Sequence, residues 1–234
     1  MTFTVLYVDN HLLAVCKPAG MLTQGDRTGD TSLLELCRTY VKQQFNKPGN
    51  VFLGLVHRLD RPVSGVVVLA RTSKAAARLA AQFRARQIQK TYWALVEGKI
   101  PAEGILVDRL GRRGATSHIA KETPGVLAEL QFTRLGYCQR ISWVEVNLVT
   151  GRHHQIRVQF AHYGYPLVGD LRYGATQPYT RHALGLHARA LSLRHPTRPQ
   201  PLTFIAEPES HWPQHFRNPF IAKGQAASLP SPED

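Results

Sequence analysis

Short apolar runs, some alternating with polar residues and some continuous, divide the chain into many strands and a few helices. Residues 4–8 and 12–15 are β-type runs separated by Asp9-Asn10-His11, a composition suited to a tight turn. Lys17-Pro18-Ala19-Gly20 then breaks the pattern. Thr31 or Ser32 is placed to cap a helix to about Gln43, with Leu33, Leu36 and Tyr40 on one face, and Lys47-Pro48-Gly49-Asn50 follows it as a loop. Residues 66–70 are continuously apolar and rich in Val, which predicts a strand buried on both faces. Thr72 or Ser73 opens a second helix through about Arg86, with Leu79 and Phe83 inward and Lys74, Arg78, Arg84 and Arg86 elsewhere. Residues 91–96 and 141–149 alternate as strands, and Gly98 ends the first. Residues 109–123 carry Gly, Arg and Lys with few large apolar side chains, so they predict a basic surface loop or hairpin. A short helix over 154–161, begun by Thr150-Gly151-Arg152 and ended by Gly164, precedes two late strands at 187–193 and 202–206. From about Gly224 the chain is small, polar and Pro-containing, an expected disordered tail over 224–234. This order predicts one α+β domain over residues 1–223, with a mainly antiparallel mixed sheet flanked by helices.

Composition narrows the partners. A chain of 234 residues can bury a sizeable core without a disulfide or a metal. Lys and Arg number 29 against 16 Asp and Glu, a formal net charge of +13. That surplus repels itself in the folded state, and a polyanion relieves it. Nucleic acid is the first candidate, an anionic membrane surface the rival, and a merely basic surface the plain alternative. Cys16, Cys37 and Cys138 are far apart and form no Cys-x-x-Cys pair, which argues for reduced thiols in a cytoplasmic setting and against structural zinc. Met1 to Asn10 lacks a basic leader, and no apolar stretch is long enough to span a bilayer, so neither export nor a membrane is expected.

Four segments carry candidate chemistry. His57-Arg58-Leu59-Asp60-Arg61-Pro62-Val63-Ser64-Gly65 puts a carboxylate in a loop just before the buried strand, where a rigid element would fix it. Alone, an Asp among arginines is an ordinary surface ion pair. Thr150-Gly151-Arg152-His153-His154-Gln155-Ile156-Arg157 opens a helix whose N–H groups favour phosphate, and Arg157 is suited to hold a carboxylate by two parallel hydrogen bonds. A solvated basic helix start is the plainer reading. In Lys90-Thr91-Tyr92-Trp93, Tyr92 can stack on a base or handle a proton, though a strand Tyr is usually packing. Gly164-Tyr165-Pro166-Leu167-Val168-Gly169-Asp170, with Tyr173-Gly174 beyond, reads as a shaped scaffold turn. The pair His153-His154 among eleven histidines raises a metal-dependent hydrolase, but adjacent residues diverge on a helix and no His-x-x-x-His accompanies them.

Taken together and in this order, the segments resemble the RluA-type pseudouridine synthases from Leu6 to about Pro208. The resemblance rests on Lys17-Pro18-Ala19-Gly20, His57 to Gly65, Lys90-x-Tyr92, Gly151 to Arg157 and Gly164 to Asp170. Val63, His153 and Gln159 depart from the usual Thr, small hydroxyl residue and His at those places. It implies the pseudouridine synthase fold without the small N-terminal RNA-binding module of many relatives, and an isomerase needing neither cofactor nor metal. It implies Asp60, Tyr92 and Arg157 as catalytic, with Arg157 pairing Asp60 and Tyr92 stacking on the uracil. His57, Arg58, Arg152 and Ile156 would contact substrate, Arg58 filling the space left by a flipped nucleotide. Residues 109–121 and the helix 73–86 would bind phosphate with Arg152. The expected partner is transfer or ribosomal RNA, met by a monomer. The rival classes are a catalytically silent RNA binder on the same fold and a DNA-directed enzyme.

Overall fold

Among the described residues, the strand-forming runs become eleven strands of a single sheet. The computed structural model describes residues 3–120, 125–180 and 182–213, so the tail at 224–234 and the end of the domain at 223 lie outside the described residues. In chain order the elements are β1 (Thr4–Val8), β2 (Leu12–Lys17), α1 (Leu33–Gln44), β3 (Gly54–Leu55), β4 (Ser64–Ala70), α2 (Ser73–Arg84), β5 (Gln89–Glu97), β6 (Glu103–Arg113), β7 (Thr116–Ile119), β8 (Val126–Cys138), β9 (Ile141–Leu148), α3 (Gln155–His162), β10 (Leu186–Arg194) and β11 (Pro201–Ile205). The sheet runs β1-β2-β4-β10-β5-β9-β8-β6-β7, with β11 on β10 and β3 on β4. All pairings are antiparallel except β4 with β10, where His187 lies beside Ser64 and Ala188 beside Gly65.

Strand β4 is buried at every position, as its unbroken apolar run requires. Val67 and Leu69 face a core shared with Leu33, Cys37 and Val41 of α1 and Ile156 and Phe160 of α3. Val66, Val68 and Ala70 face the other side, against Ala75 and Leu79 of α2 and Leu191 of β10. Helices therefore cover both faces of the sheet's middle, and the α+β architecture agrees with the sequence.

Details differ from the sequence pattern. Ser32 caps α1 in a reciprocal box with Glu35, but the buried stripe is Leu33, Cys37 and Val41, spaced by one full turn, while Leu36 and Tyr40 are only half-buried. Helix α2 stops at Arg84, and Arg86 has a left-handed backbone that turns the chain into β5. His154 is also left-handed and stands just outside α3, which begins one residue later than its pattern suggested. The basic segment is a hairpin of β6 and β7, though β6 starts at Glu103, well before residue 109, and residues 121–124 lie outside the described residues. Strand β8 was not anticipated, although Ala128, Leu130 and Phe132 alternate inward along it.

Candidate active site

Asp60 ends up on a loop anchored from three sides. Thr23 accepts from the Leu59 N–H at 3.2 Å and donates its hydroxyl to the Leu59 carbonyl at 2.7 Å. Gly20 donates its N–H to the Arg61 carbonyl at 2.8 Å, and the Val63 N–H returns to the Asp60 carbonyl at 3.1 Å. Beneath the loop lies Lys17, fully buried, whose Nζ donates to the carbonyls of Pro18, Met21 and Arg61 at 3.0, 2.7 and 3.2 Å. Three carbonyls suit its three donors, yet burial pulls the amine down to about 7. The Lys-Pro-x-Gly stretch thus holds the loop that carries the carboxylate. Arg61 pairs with Asp30 at 2.7 Å, and not with Asp60.

Arg157 reaches Asp60 from α3, its Nη1 donating to Asp60 Oδ2 at 3.2 Å. Its stronger partner is Asp170, which accepts from Nε at 2.6 Å and from Nη2 at 2.8 Å. The bidentate pair that Arg157 is suited to make is with Asp170, and Asp60, its expected partner, receives a single bond. Burial pulls the Arg157 guanidinium down, but the hydrogen bonds and charge of Asp170, then those of Asp60, more than offset it. Exposure separates the two acids: the Asp60 side chain is 27% exposed and that of Asp170 only 1%. Asp60 is open to a ligand, whereas Asp170 is sealed behind the arginine.

His154, raised in the sequence only as half of a candidate metal-binding pair, lies near the same oxygen, with Nε2 3.3 Å from Asp60 Oδ2. Its Nδ1 is 2.8 Å from the Tyr173 hydroxyl, and that hydroxyl accepts the Ser117 N–H at 2.9 Å. The Tyr173 ring also lies under the Arg157 guanidinium, 5.1 Å away. Burial holds the His154 imidazole below its usual range, with the charge of Asp60 opposing. Asp170 and Tyr173 both belong to the segment read as scaffold. Asp170 is buried and so requires a cation, which the sequence of the turn does not reveal. His153 stacks on His154 at 3.8 Å and bonds Ser117 through Nδ1 at 3.0 Å. Among the described residues, no group of three or more His, Cys, Asp or Glu is arranged to hold a metal ion.

A cleft of about 680 Å³ opens over Asp60, lined by Arg58, Tyr92, Ile156, Arg157, Leu186 and both histidines of the α3 start. Of the residues expected there, Asp60, Tyr92, Arg157, His57, Arg58, Arg152 and Ile156 all line it. Tyr92 projects from β5, and burial, then the charge of Asp60, pushes its phenol up. His57 accepts the Val68 N–H through Nε2 at 2.9 Å, completing β4 just where β3 stops, and stacks on Phe83. Neutrality is needed for that acceptor, and burial pulls this imidazole down to about 4. Arg152 donates Nε to the Leu127 carbonyl at 2.9 Å, which ties its stem to β8. Arg84, Arg86, Lys90 and Arg152 make the rim strongly basic. Among the described residues of the 109–120 hairpin, none lines this cleft; Arg109 and Arg112 bond carbonyls of their own hairpin region. Arg78 likewise donates to the Pro196 carbonyl.

Gln159, one of the departures, is fully buried. Its Nε2 donates to Asp108 at 2.6 Å, and its Oε1 has no hydrogen-bond partner among the described residues.

Comparison with known proteins adds an independent line. Residues 11–162 match the family model described as RNA pseudouridylate synthase. Ribosomal large subunit pseudouridine synthase D of Pseudomonas aeruginosa is 35% identical over 209 residues, covering 82% of this chain but 64% of the relative, so the chain spans just under two thirds of that protein. The tRNA pseudouridine synthase C of Pasteurella multocida is 33% identical over 236 residues, covering 91% of this chain and 94% of the relative. In solved structures, human RNA Pseudouridylate Synthase Domain Containing 4 superimposes with a TM-score of 0.73 at 23% identity, covering 94% of this chain and 92% of that one. The corresponding human domain-containing protein 1 gives 0.69 at 24% identity, covering 88% and 83%. These two speak for the fold.

Proposed function

The chain belongs to the RNA pseudouridylate synthase family, in its RluA-type branch, and from that premise we propose that it isomerises uridines of transfer or ribosomal RNA to pseudouridine, with Asp60 as the reacting carboxylate. The observation that carries this reading is the half-open Asp60, paired once with a fixed Arg157 at the wall of a nucleotide-sized cleft.

The reaction breaks the bond from ribose carbon 1 to base nitrogen 1, turns the uracil and rejoins it through ring carbon 5, whose proton is released. Nothing is oxidised or hydrolysed, so the reaction calls for no cofactor. A carboxylate serves either as transient nucleophile or as counter-charge to the sugar cation, and sugar attack, base attack and a glycal route all use the same group. Tyr92 is suited to stack on the uracil, and Ile156 to pack against its edge. A uridine stacked within RNA cannot reach Asp60 and must be flipped out, at a cost of a few kcal/mol. Arg58, exposed at the cleft mouth, is suited to occupy the space left behind. Phosphate contacts from Arg84, Arg86, Lys90 and Arg152 would offset that cost. The protein is expected to act as a cytoplasmic monomer; no helix among the described residues is long and apolar enough to cross a membrane.

The test is tritium release from RNA labelled at uridine carbon 5, together with mapping of pseudouridine in transfer and ribosomal RNA before and after treatment. Wild-type protein should release tritium and create new sites, and Asp60→Ala should do neither while still binding RNA. Binding by the wild-type protein with no product would instead mark a silent RNA binder.

A further inference from the structure

The two groups that approach Asp60 are both held from behind by one short stretch, residues 170–173. Asp170 takes two of the three Arg157 nitrogens at 2.6 and 2.8 Å, which leaves Nη1 alone for Asp60. Tyr173, at the end of the same turn, governs His154. Its oxygen already accepts the Ser117 N–H, which favours donation of its own proton to His154 Nδ1 at 2.8 Å. With Nδ1 an acceptor, the ring proton sits on Nε2, the nitrogen that lies 3.3 Å from Asp60 Oδ2. His154 has a left-handed backbone, with φ 53°, as have Asn46, Arg86, Gln139 and Arg140. Both approaches converge on Oδ2. The other oxygen takes part in neither.

We propose that the turn at 170–173 is a positioning element, in which Asp170 acting through Arg157 and Tyr173 acting through His154 fix Asp60 by Oδ2 and leave Oδ1 as the reacting oxygen. The proposal rests on the reading of Asp60 as the reacting group. It gives a role to a segment whose sequence reads as scaffold, and it makes His154 a neutral donor in place of a base or a metal ligand.

Tyr173→Phe removes one hydroxyl and keeps the ring. Its kcat for tritium release should fall roughly 10-fold, and that of Asp170→Asn roughly 100-fold, with KM for RNA unchanged in both. Nitrogen-15 spectra of labelled histidine should report His154 as the Nε2–H tautomer in the wild-type protein and as a tautomer mixture in Tyr173→Phe. Loss confined to KM, a wild-type kcat in folded Tyr173→Phe, or an Nδ1–H tautomer in the wild-type protein would overturn the proposal. If Asp170→Asn does not fold, the tyrosine variant and the spectra decide. The spectra need no substrate. The expected tautomer in a protein that releases no tritium would therefore support the geometry and overturn the reading of the activity alone.

Discussion

A methyl group on the α-carbon of Gly65 would lie 2.2 Å from the Ala188 carbonyl oxygen and 2.6 Å from its nitrogen. Gly65 has φ +117°, and it is here that β4 and β10 make the sheet's parallel contact, a few residues beyond Asp60. No side chain fits, and the backbone on both sides is held by strand pairing. Gly65→Ala should therefore cost ~3 kcal/mol or more, by urea denaturation, or prevent folding. Gly114→Ala is the control: its φ is +58° but nothing lies within 4 Å, so ~1–2 kcal/mol is expected.

That glycine was visible in the sequence as part of a motif, but its cause was not, because Ala188 is far away along the chain. The same division runs through the whole molecule. Local signals placed β4, α2 and the start of α1 at Thr31 or Ser32, since an unbroken Val-rich run or a hydroxyl residue before an apolar stripe needs no distant partner. The Asp60–Arg157 proximity followed from the resemblance and stands in the structure. Asp170 and His154 stayed hidden: one sits in a Gly- and Pro-rich turn, the other beside a second histidine, and each acquires meaning only through a partner from another element. Strand β8 is different, because Glu129, Gln131 and Thr133 alternate with Ala128, Leu130 and Phe132 in the period of a half-buried strand, so its signal was local and present.

Arg157→Lys is a severe change despite conserving charge. One ammonium cannot hold Asp170 by two parallel bonds and also reach Asp60. Turnover should drop roughly 100-fold, and stability by ~3 kcal/mol, because Asp170 is left buried with a poorer partner. Single-turnover assays and thermal melts of the same preparation check both.

Removing cations from the rim should change affinity without changing turnover at saturation. Arg84 and Arg86 line the cleft at the end of α2. The double variant Arg84→Gln, Arg86→Gln should lower the slope of log affinity against log salt by ~0.7–0.9 for each phosphate that is no longer neutralised. Titrations of fluorescently labelled RNA over a range of salt concentrations measure it. An unchanged slope would remove this rim from the binding surface.

Acid should destabilise the fold in a defined window. Burial pulls His57 and His187 from 6.5 to about 4, and both act as neutral acceptors, of the Val68 N–H and the Ser64 hydroxyl. Between pH 6.5 and about 4 the unfolded chain binds more protons than the folded one, so stability falls as pH falls across that range. His57→Gln keeps an acceptor and removes one titrating group. Its melting temperature should depend less steeply on pH over the same interval, as followed by circular dichroism.

Strand β10 lies between β4 and β5, yet it enters the sequence some ninety residues after β5 ends. It joins two groups of strands, one bearing Asp60 beside β4 and the other bearing Tyr92 on β5, and it meets the first only at Ser64 and Gly65, because β3 and His57 cover the rest of that edge of β4. The wall that brings them to a common cleft thus depends on a long-range closure whose entropy opposes it until the strand pairs form. The expected consequence is that a nascent chain presents the open edge of β5 to other strands until residue 194 is available.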